Sequence, residues 1–560
     1  MTALRFSIQL CVFTLVSLLS AGVSSVAWTQ TMQHLWSDHF AGGNSGGGNR
    51  TAIDSNDNIV MAGTFDEPTD FGGGVLTYAG SMDAYIAKFD ADGSHLWSKR
   101  FGDAGTDYIS RVAVDGSDNI IVIGSFSGNI DFGGIPLTSA GDMDIFLAKF
   151  NANGTHLWSR SFGAAGTQYG YCVAVDGSDN IIVIGSYYNE VDFGGGALVS
   201  AGDRDIYLAK FDPYGTHLWS QRFGDANYQV GSAAAVDGNG NVFVTGNFEG
   251  TVDFGGGARV SAGSFDIFVA KYDANGNHVW SNRFGDAERQ YSQCVTVDKW
   301  GDPVVAGFFA GTLDFGGDGI HTSAGSYDLF VARFSPQGGR QWSGSYGDES
   351  LQHTRTVAVD GSGNILLTGL FQGTLDFGGG PLVSAGSDDF YAAELGPTGD
   401  HIWSLRAGDG YIQQGDWVSV DSSGNAIVTG YFGGTVDFGG GPMTDSGGGD
   451  IFIAKFGPSA TAVNAAPFAG RPLLRSYPNP FNPTTKIAYE IPEPGLVRLH
   501  VYDVRGRCVK SLVNGMTEEG THEVLWDGRG DGGTELASGV YFVRLDFAGQ
   551  TRFRKVELLK

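Results

Sequence analysis

A chain of 560 residues with 34 Lys and Arg against 61 Asp and Glu carries a formal charge of -27, an acidic balance that repels phosphate backbones and argues against nucleic acid as a partner. Glycine at 89 positions is about twice the ordinary share, yet 42% hydrophobic and 12% aromatic content is ample for a packed interior. The glycine is therefore read as turn chemistry in a β-rich globular protein, and disorder is excluded.

In chain order, Arg5, the apolar run 6–19 and the small residues Ser25 and Ala27 read as a signal peptide over 1–27, cleaved after Ala27. The run is too short for a stable membrane span, and no other stretch approaches the ~20 apolar residues that spanning needs, so the mature chain is expected without one. Cys11 leaves with the signal. Cys172, Cys294 and Cys508 remain, too few and too scattered for a disulfide framework. Cys172 and Cys294 hold equivalent repeat positions and read as small buried fillers, with an oxidised pair left open.

From residue 28 to 456 the sequence repeats. Trp36, Trp97, Trp158, Trp219, Trp280, Trp342 and Trp403 follow at intervals of 61, 61, 61, 61, 62 and 61. Turn aspartates keep the same beat, from Asp54 and Asp115 to Asp421, as do Asp-Phe-Gly-Gly, from Asp70 to Asp437, and a third-strand Asp, from Asp83 to Asp450. Within one repeat, strands are predicted over 112–115, 119–126, 144–150 and 156–162, with about a dozen extra residues between the second and third. Four antiparallel strands per repeat predict a blade, and seven repeats a seven-bladed β-propeller. The first repeat opens with a lone fourth strand, 34–40, and the last stops after a third strand, 450–456. Pairing these two would close the ring and remove the open sheet edge.

Val-Ala-Val-Asp-Gly-Ser-Gly-Asn-Ile at 357–365, Asp-Phe-Gly-Gly and Ala-Lys-Phe resemble the seven-bladed β-propeller repeat (SBBP) family of bacterial secreted proteins. The turn 90–93 ahead of Trp97 is also similar to the outer hairpin of quinoprotein blades, a likeness of fold alone.

Residues 457–473 read as a linker. Beyond it, strands are predicted over 485–490, 497–502, 522–526, 540–545 and 553–559, enough for an immunoglobulin-like β-sandwich over 474–560. The stretches 501–507, 526–528 and 538–542 resemble the FlgD-like module and the type A sorting domain of type IX secretion, which implies a secreted or cell-surface protein handled by the secretion machinery. Residues 28–473 hold 21 basic and 50 acidic side chains, net -29, whereas 474–560 hold 12 and 11, net +1. All the acidity belongs to the repeats.

The repeated residues read as framework. Asp-Phe-Gly-Gly lacks the partner motifs of a kinase and reads as a turn, with Ca²⁺ at blade tips the alternative. Six histidines two residues before the Trp, His34 to His401, would lie one per blade on outermost strands, too far apart to share a metal. Gly43-Asn44-Ser45-Gly46-Gly47 matches a nucleophile elbow only formally, without strand-to-helix context. A specific site has to break the symmetry. The variable segments between one blade's fourth strand and the next blade's first carry Tyr108, Tyr169, Tyr228, Tyr291, His353 and Tyr411, which are the candidate ligand-binding residues, with packing as their alternative role. The expectation is a binding module for an extracellular protein, glycan or cation, with no catalytic residues assigned. A surface scaffold and a hydrolase or lyase at the channel mouth are the alternatives.

Overall fold

The computed structural model describes residues 32–42, 49–317, 319–458, 473–477, 481–491, 494–505, 507–518, 520–547 and 550–559. The signal segment 1–27, the glycine-rich match at 43–47 and linker residues 459–472 lie outside the described residues. What is described is strand and turn, apart from one short 3-10 segment, Asp531–Gly533. Two compact units separate, Met1–Ser459 and Ala460–Lys560.

In the first unit, strands pair into seven four-stranded antiparallel sheets. Six are built from consecutive chain. The second sheet, for example, runs Asp107–Val114, Ile120–Phe126, Asp144–Phe150 and His156–Phe162 from one edge to the other. The seventh joins Gln413–Val420, Ala426–Phe432 and Asp450–Pro458 to the N-terminal strand Met32–Ala41. There His34 faces Phe456, Trp36 faces Lys455 and Phe40 faces Ile451.

Second and third strands are buried along almost their whole length, as in Ile120–Phe126 and Asp144–Phe150, which explains their apolar runs in place of alternation. Each core lies between two sheets. Val60, Ile86 and Phe101 of the first sheet pack with Val122, Phe146 and Phe150 of the second, and each such ring or branched chain removed from water contributes roughly 1.5–3 kcal/mol. The repeating Trp serves the same seam, Trp97 Nε1 donating to Ala152 O at 3.3 Å and Trp158 Nε1 to Pro213 O at 3.3 Å.

A polar ladder accompanies the cores. Lys149 Nζ sits 2.7 Å from the turn carboxylate of Asp115 in its own sheet and donates to Pro213 O of the next at 3.1 Å. Lys88, Lys210, Lys271, Arg333 and Lys455 repeat the pairing, and Lys455 Nζ reaches Ala91 O of the first sheet at 2.9 Å. Glu394 replaces the cation in the sixth sheet.

Asp-Phe-Gly-Gly forms the expected turn, with Phe132 buried and Gly133 N donating to Asp131 Oδ1 at 2.7 Å. The extra residues between second and third strands carry a small ribbon, Asn129–Ile130 against Leu137–Thr138. The histidine row lies on fourth strands at the sheet edge, His95 and His156 each 3.1 Å from the serine three residues on. Cys172 and Cys294 are buried free thiols.

First strands depart from expectation. The strand predicted over 112–115 begins five residues earlier, at Asp107. It opens on a polar residue, Gln in five of the six complete copies, followed by residues that differ from repeat to repeat, so neither alternation nor an apolar run betrays it.

The second unit consists of two sheets, Leu473–Tyr477, Thr485–Ile491 and Gly520–Trp526 in one, and Gly495–Asp503, Cys508–Thr517, Gly539–Phe547 and Gln550–Leu558 in the other. Ile487, Leu499, Trp526, Val543 and Leu558 share its core. Two of these strands were not anticipated. Cys508–Thr517 contains Asn514-Gly515, a pair that normally marks a hairpin turn, and Leu473–Tyr477 borders the Pro-rich stretch read as linker.

Candidate functional site

Every complete first strand carries a β-bulge at the same place. Pairing with the second strand skips one residue between Ile109 and Arg111, and likewise at Tyr171, Ser232, Gln293, Arg355 and Asp416. The bulge falls five residues before the turn Asp in each repeat, the first at Ser110. A bulged residue leaves the ladder and its side chain is re-aimed. Here the device presents one free-choice side chain per sheet, and the choices differ: Ser, Tyr, Ser, Gln, Arg and Asp.

Five of these six residues line one cavity of about 480 Å³, together with Arg50, Arg111 and Trp417. Residues from all seven sheets contribute to its wall. A second cavity of about 400 Å³, walled mostly by Val, Ala and Cys, shares Arg111 and Trp417, so this pair lies between the two.

Charge is concentrated at that floor. The Arg111 guanidinium lies 3.9 Å above the Trp417 ring and that of Arg50 lies 5.4 Å from it, both within cation–π range. Arg111 is only 8% exposed, and its Nε has no hydrogen-bond partner among the described residues. Burial, with Arg111 and Arg355 as like charges and Asp416 opposing, lowers the Arg50 pKa to about 10. Arg50 therefore stays protonated at neutral pH. Its Nη1 donates to Asp416 O at 3.0 Å. The Asp416 carboxylate accepts from Asn49 N at 3.3 Å and Gln414 Nε2 at 3.2 Å, while burial raises its pKa against the pull of Arg50 and Arg355. Arg355 is exposed to the cavity. Three guanidinium groups thus face one carboxylate inside a strongly acidic unit.

The sequence candidates fall into three groups. Tyr108 lines the cavity, and burial first of all pushes its hydroxyl pKa up to about 12. Tyr169, Tyr228, Tyr291 and His353 join one arc of rings. Tyr169 stacks on Tyr171 at 5.7 Å, Arg204 lies 4.4 Å from Tyr169 and 5.0 Å from Tyr228, and Phe265 bridges Tyr228 to Tyr291, 5.6 Å from each. Phe308 then links Tyr291, at 5.1 Å, to His353, stacked at 3.8 Å. Arg204 also donates to the hydroxyls of Tyr171 and Tyr228, fixing the aromatic wall beside the cavity. Burial, then Arg355, depresses His353 to about 4, so its ring is neutral at physiological pH. Tyr411 stands apart, 66% exposed in a loop.

Arg50, Arg111, Arg355, Asp416 and the bulge itself escaped sequence reasoning. Their signal lies in the register: four and five residues before the turn Asp, small or apolar fillers in some repeats give way to charged or aromatic side chains in others. Among the described residues no group of three or more His, Cys, Asp or Glu is arranged to hold a metal. No helix among them is long and apolar enough to cross a membrane.

Residues 218–247 match the family described as beta-propeller repeat, and residues 481–549 match the FlgD Ig-like domain. An uncharacterized WD repeat-containing protein of Acanthamoeba polyphaga mimivirus is 23% identical over 437 residues, covering 61% of this chain and 31% of the relative. The regulatory protein FlaEY of Caulobacter vibrioides is 25% identical over 210 residues, covering 35% and 22%. The chain thus spans under a third of the length of either relative. Among solved structures, a puromycin hydrolase mutant aligns with 81% of this chain and 58% of its own at 11% identity and TM-score 0.40. PorZ, a surface component of the type-IX secretion system of Porphyromonas gingivalis, aligns with 91% and 81% at 12% identity and TM-score 0.13. The chain is an all-β protein with a β-propeller repeat region and a C-terminal Ig-like domain.

Proposed function

We propose that the chain is an exported binding protein whose repeats close into a seven-bladed propeller and whose ligand enters at the mouth of the central channel. Signal segment 1–27 would direct export, and the Ig-like domain over 474–560 would hand the chain to a type IX secretion route, leaving the propeller secreted or on the cell surface. The ring reading draws support from contacts between seventh and first sheets that copy those between neighbours. Ser422 Oγ donates to Asp57 at 2.6 Å as Ser55 Oγ does to Asp118 at 2.7 Å.

The observation that carries the binding reading is the bulge. A framework that repeats almost residue for residue frees a variable side chain at each of six bulges and brings five of them to the wall of a shared cavity, which is how a rigid scaffold hosts recognition. Catalysis is the weaker reading, because no acid is among the described residues lining the cavity and Asp416, which acts on Arg50 there, is engaged by Asn49 and Gln414 rather than by a second acid or a histidine.

The test is a glycan array and an extracellular-protein pull-down with the full chain and with Ser232→Trp, which fills the cavity from a half-buried position. Retention of a ligand by the native chain and its loss in Ser232→Trp are expected. A blank result in both assays, or equal retention by the variant, overturns the reading.

A further inference from the structure

We propose that the channel-mouth cavity binds a uronate residue, a sugar carrying one carboxylate, with Arg355 and Arg111 facing the carboxylate and the rings of Tyr108, Tyr171 and Trp417 walling the pyranose. This deepens the binding reading above and rests on it. Three observations converge on it.

The first is uncompensated charge. Arg111 and Arg355 both lie close enough to Arg50 to act on it as like charges, and Asp416 is the carboxylate that opposes them among the described residues. Arg50 already spends a donor on the Asp416 carbonyl, and the Asp416 carboxylate is held by Asn49 and Gln414. Like charges gathered in a partly desolvated recess are costly to hold, and an anion placed among them relieves that cost. The second is an unsatisfied donor: Arg111, more than nine-tenths buried and part of the cavity wall, leaves Nε without a partner among the described residues. Buried guanidinium donors are normally satisfied, and the planar fork matches a carboxylate.

The third is the lining. A bare carboxylate needs far less than about 480 Å³, and the remaining wall offers what a sugar needs: the aromatic side chains Tyr108, Tyr171 and Trp417 beside its C–H surface, and Ser110, Ser232 and Gln293 as hydroxyl and amide partners. The surroundings select against heavier charge. Residues 28–473 are net -29, so a dianionic phosphate approaches against a stronger field than a monoanion does.

Titration calorimetry of the full chain with D-glucuronate, methyl glucoside, acetate and inorganic phosphate tests the assignment. Glucuronate is expected to bind roughly tenfold or more tightly than each of the other three, and Arg355→Gln to lose about tenfold, with partial recovery in Arg355→Lys. Arg355 is exposed to the cavity, so both variants should keep the native melting point. Equal affinity for the glucoside, acetate or phosphate, no detectable glucuronate binding, or native affinity in Arg355→Gln overturns it. A neutral glycan retained by the native chain and lost in Ser232→Trp, without preference for glucuronate, removes this inference and leaves the binding reading standing.

Discussion

Asp107 opens its first strand at a position where five other sheets carry glutamine, Gln168, Gln229, Gln290, Gln352 and Gln413. In most of those sheets the amide bridges two segments, as when Gln290 Nε2 donates to Asp286 Oδ1 at 2.7 Å and to Ala310 O at 3.0 Å. The Asp107 side chain has no N–H to offer. It is fully buried, its Oδ1 has no partner among the described residues, and burial, with Asp103 and Asp83 adding to it, raises its pKa to about 7. A carboxyl whose folded pKa exceeds its unfolded value supplies its full stability below about 4 and loses it as pH rises through about 7. A tenfold change in proton affinity between the folded and unfolded chain is worth about 1.4 kcal/mol, so the effect is of the order of a few kcal/mol. Asp107→Gln, which supplies the bridging amide, should raise the thermal midpoint at pH 8 and lose most of that gain near pH 4. An equal change in midpoint at both pH values would show that ionisation of Asp107 is not the cause.

At the scale of elements, the ion-pair ladder and the bulge divide framework from recognition. Lys210 Nζ lies 2.9 Å from Asp176 and donates to Ala274 O of the next sheet at 3.1 Å, with both charged groups nearly inaccessible. Lys210→Met removes the cation and leaves a buried carboxylate unpaired, a loss of about 3–5 kcal/mol. The double variant Asp176→Asn with Lys210→Met should recover much of it, and a chemical-denaturation series of the three proteins measures the difference. Third and fourth strands were legible in the sequence because burial on both faces, or a Trp present in every copy with a His in six of the seven, imposes nearly the same residues throughout. First strands were not legible past 112, since the bulge at Ser110 and its equivalents breaks the period of two and frees the residue type. The same freedom hid half the site. Tyr108, Tyr169, Tyr291 and His353 stood out as large residues at one register position, whereas Arg111 and Arg355 pass for surface charges until the fold brings first strands together. Glu394 follows a different logic. Its side chain takes no part in the ladder and accepts instead from Trp403 Nε1 and from Asn364 Nδ2 within its own sheet.

At the scale of the whole molecule, the pairing of Met32–Ala41 with Asp450–Pro458 joins residues more than 400 positions apart, and it is the one strand pair of the seven sheets that no short connection holds together. Its side-chain bonds add to the ladder: His39 Nδ1 lies 2.7 Å from Asp450 Oδ2, and Phe40 stacks on Phe89 of the first sheet at 5.6 Å. Without the N-terminal strand, Asp450–Pro458 would present a long, flat, apolar edge, the template on which chains pair with one another. Deleting residues 32–41 while keeping the preceding segment should therefore cost both solubility and cooperativity, with soluble aggregates in gel filtration and a lower, broader melt. A synthetic peptide of residues 32–41 added during refolding should restore the monomer peak, because it supplies the missing ladder without the covalent link. If the deleted chain elutes and melts like the full one, this strand is dispensable and its pairing with the seventh sheet is not what stabilises the repeats. The outcome also bears on the cavity, whose wall draws Arg50 from the first sheet and Trp417 from the seventh, the two sheets that this strand ties together.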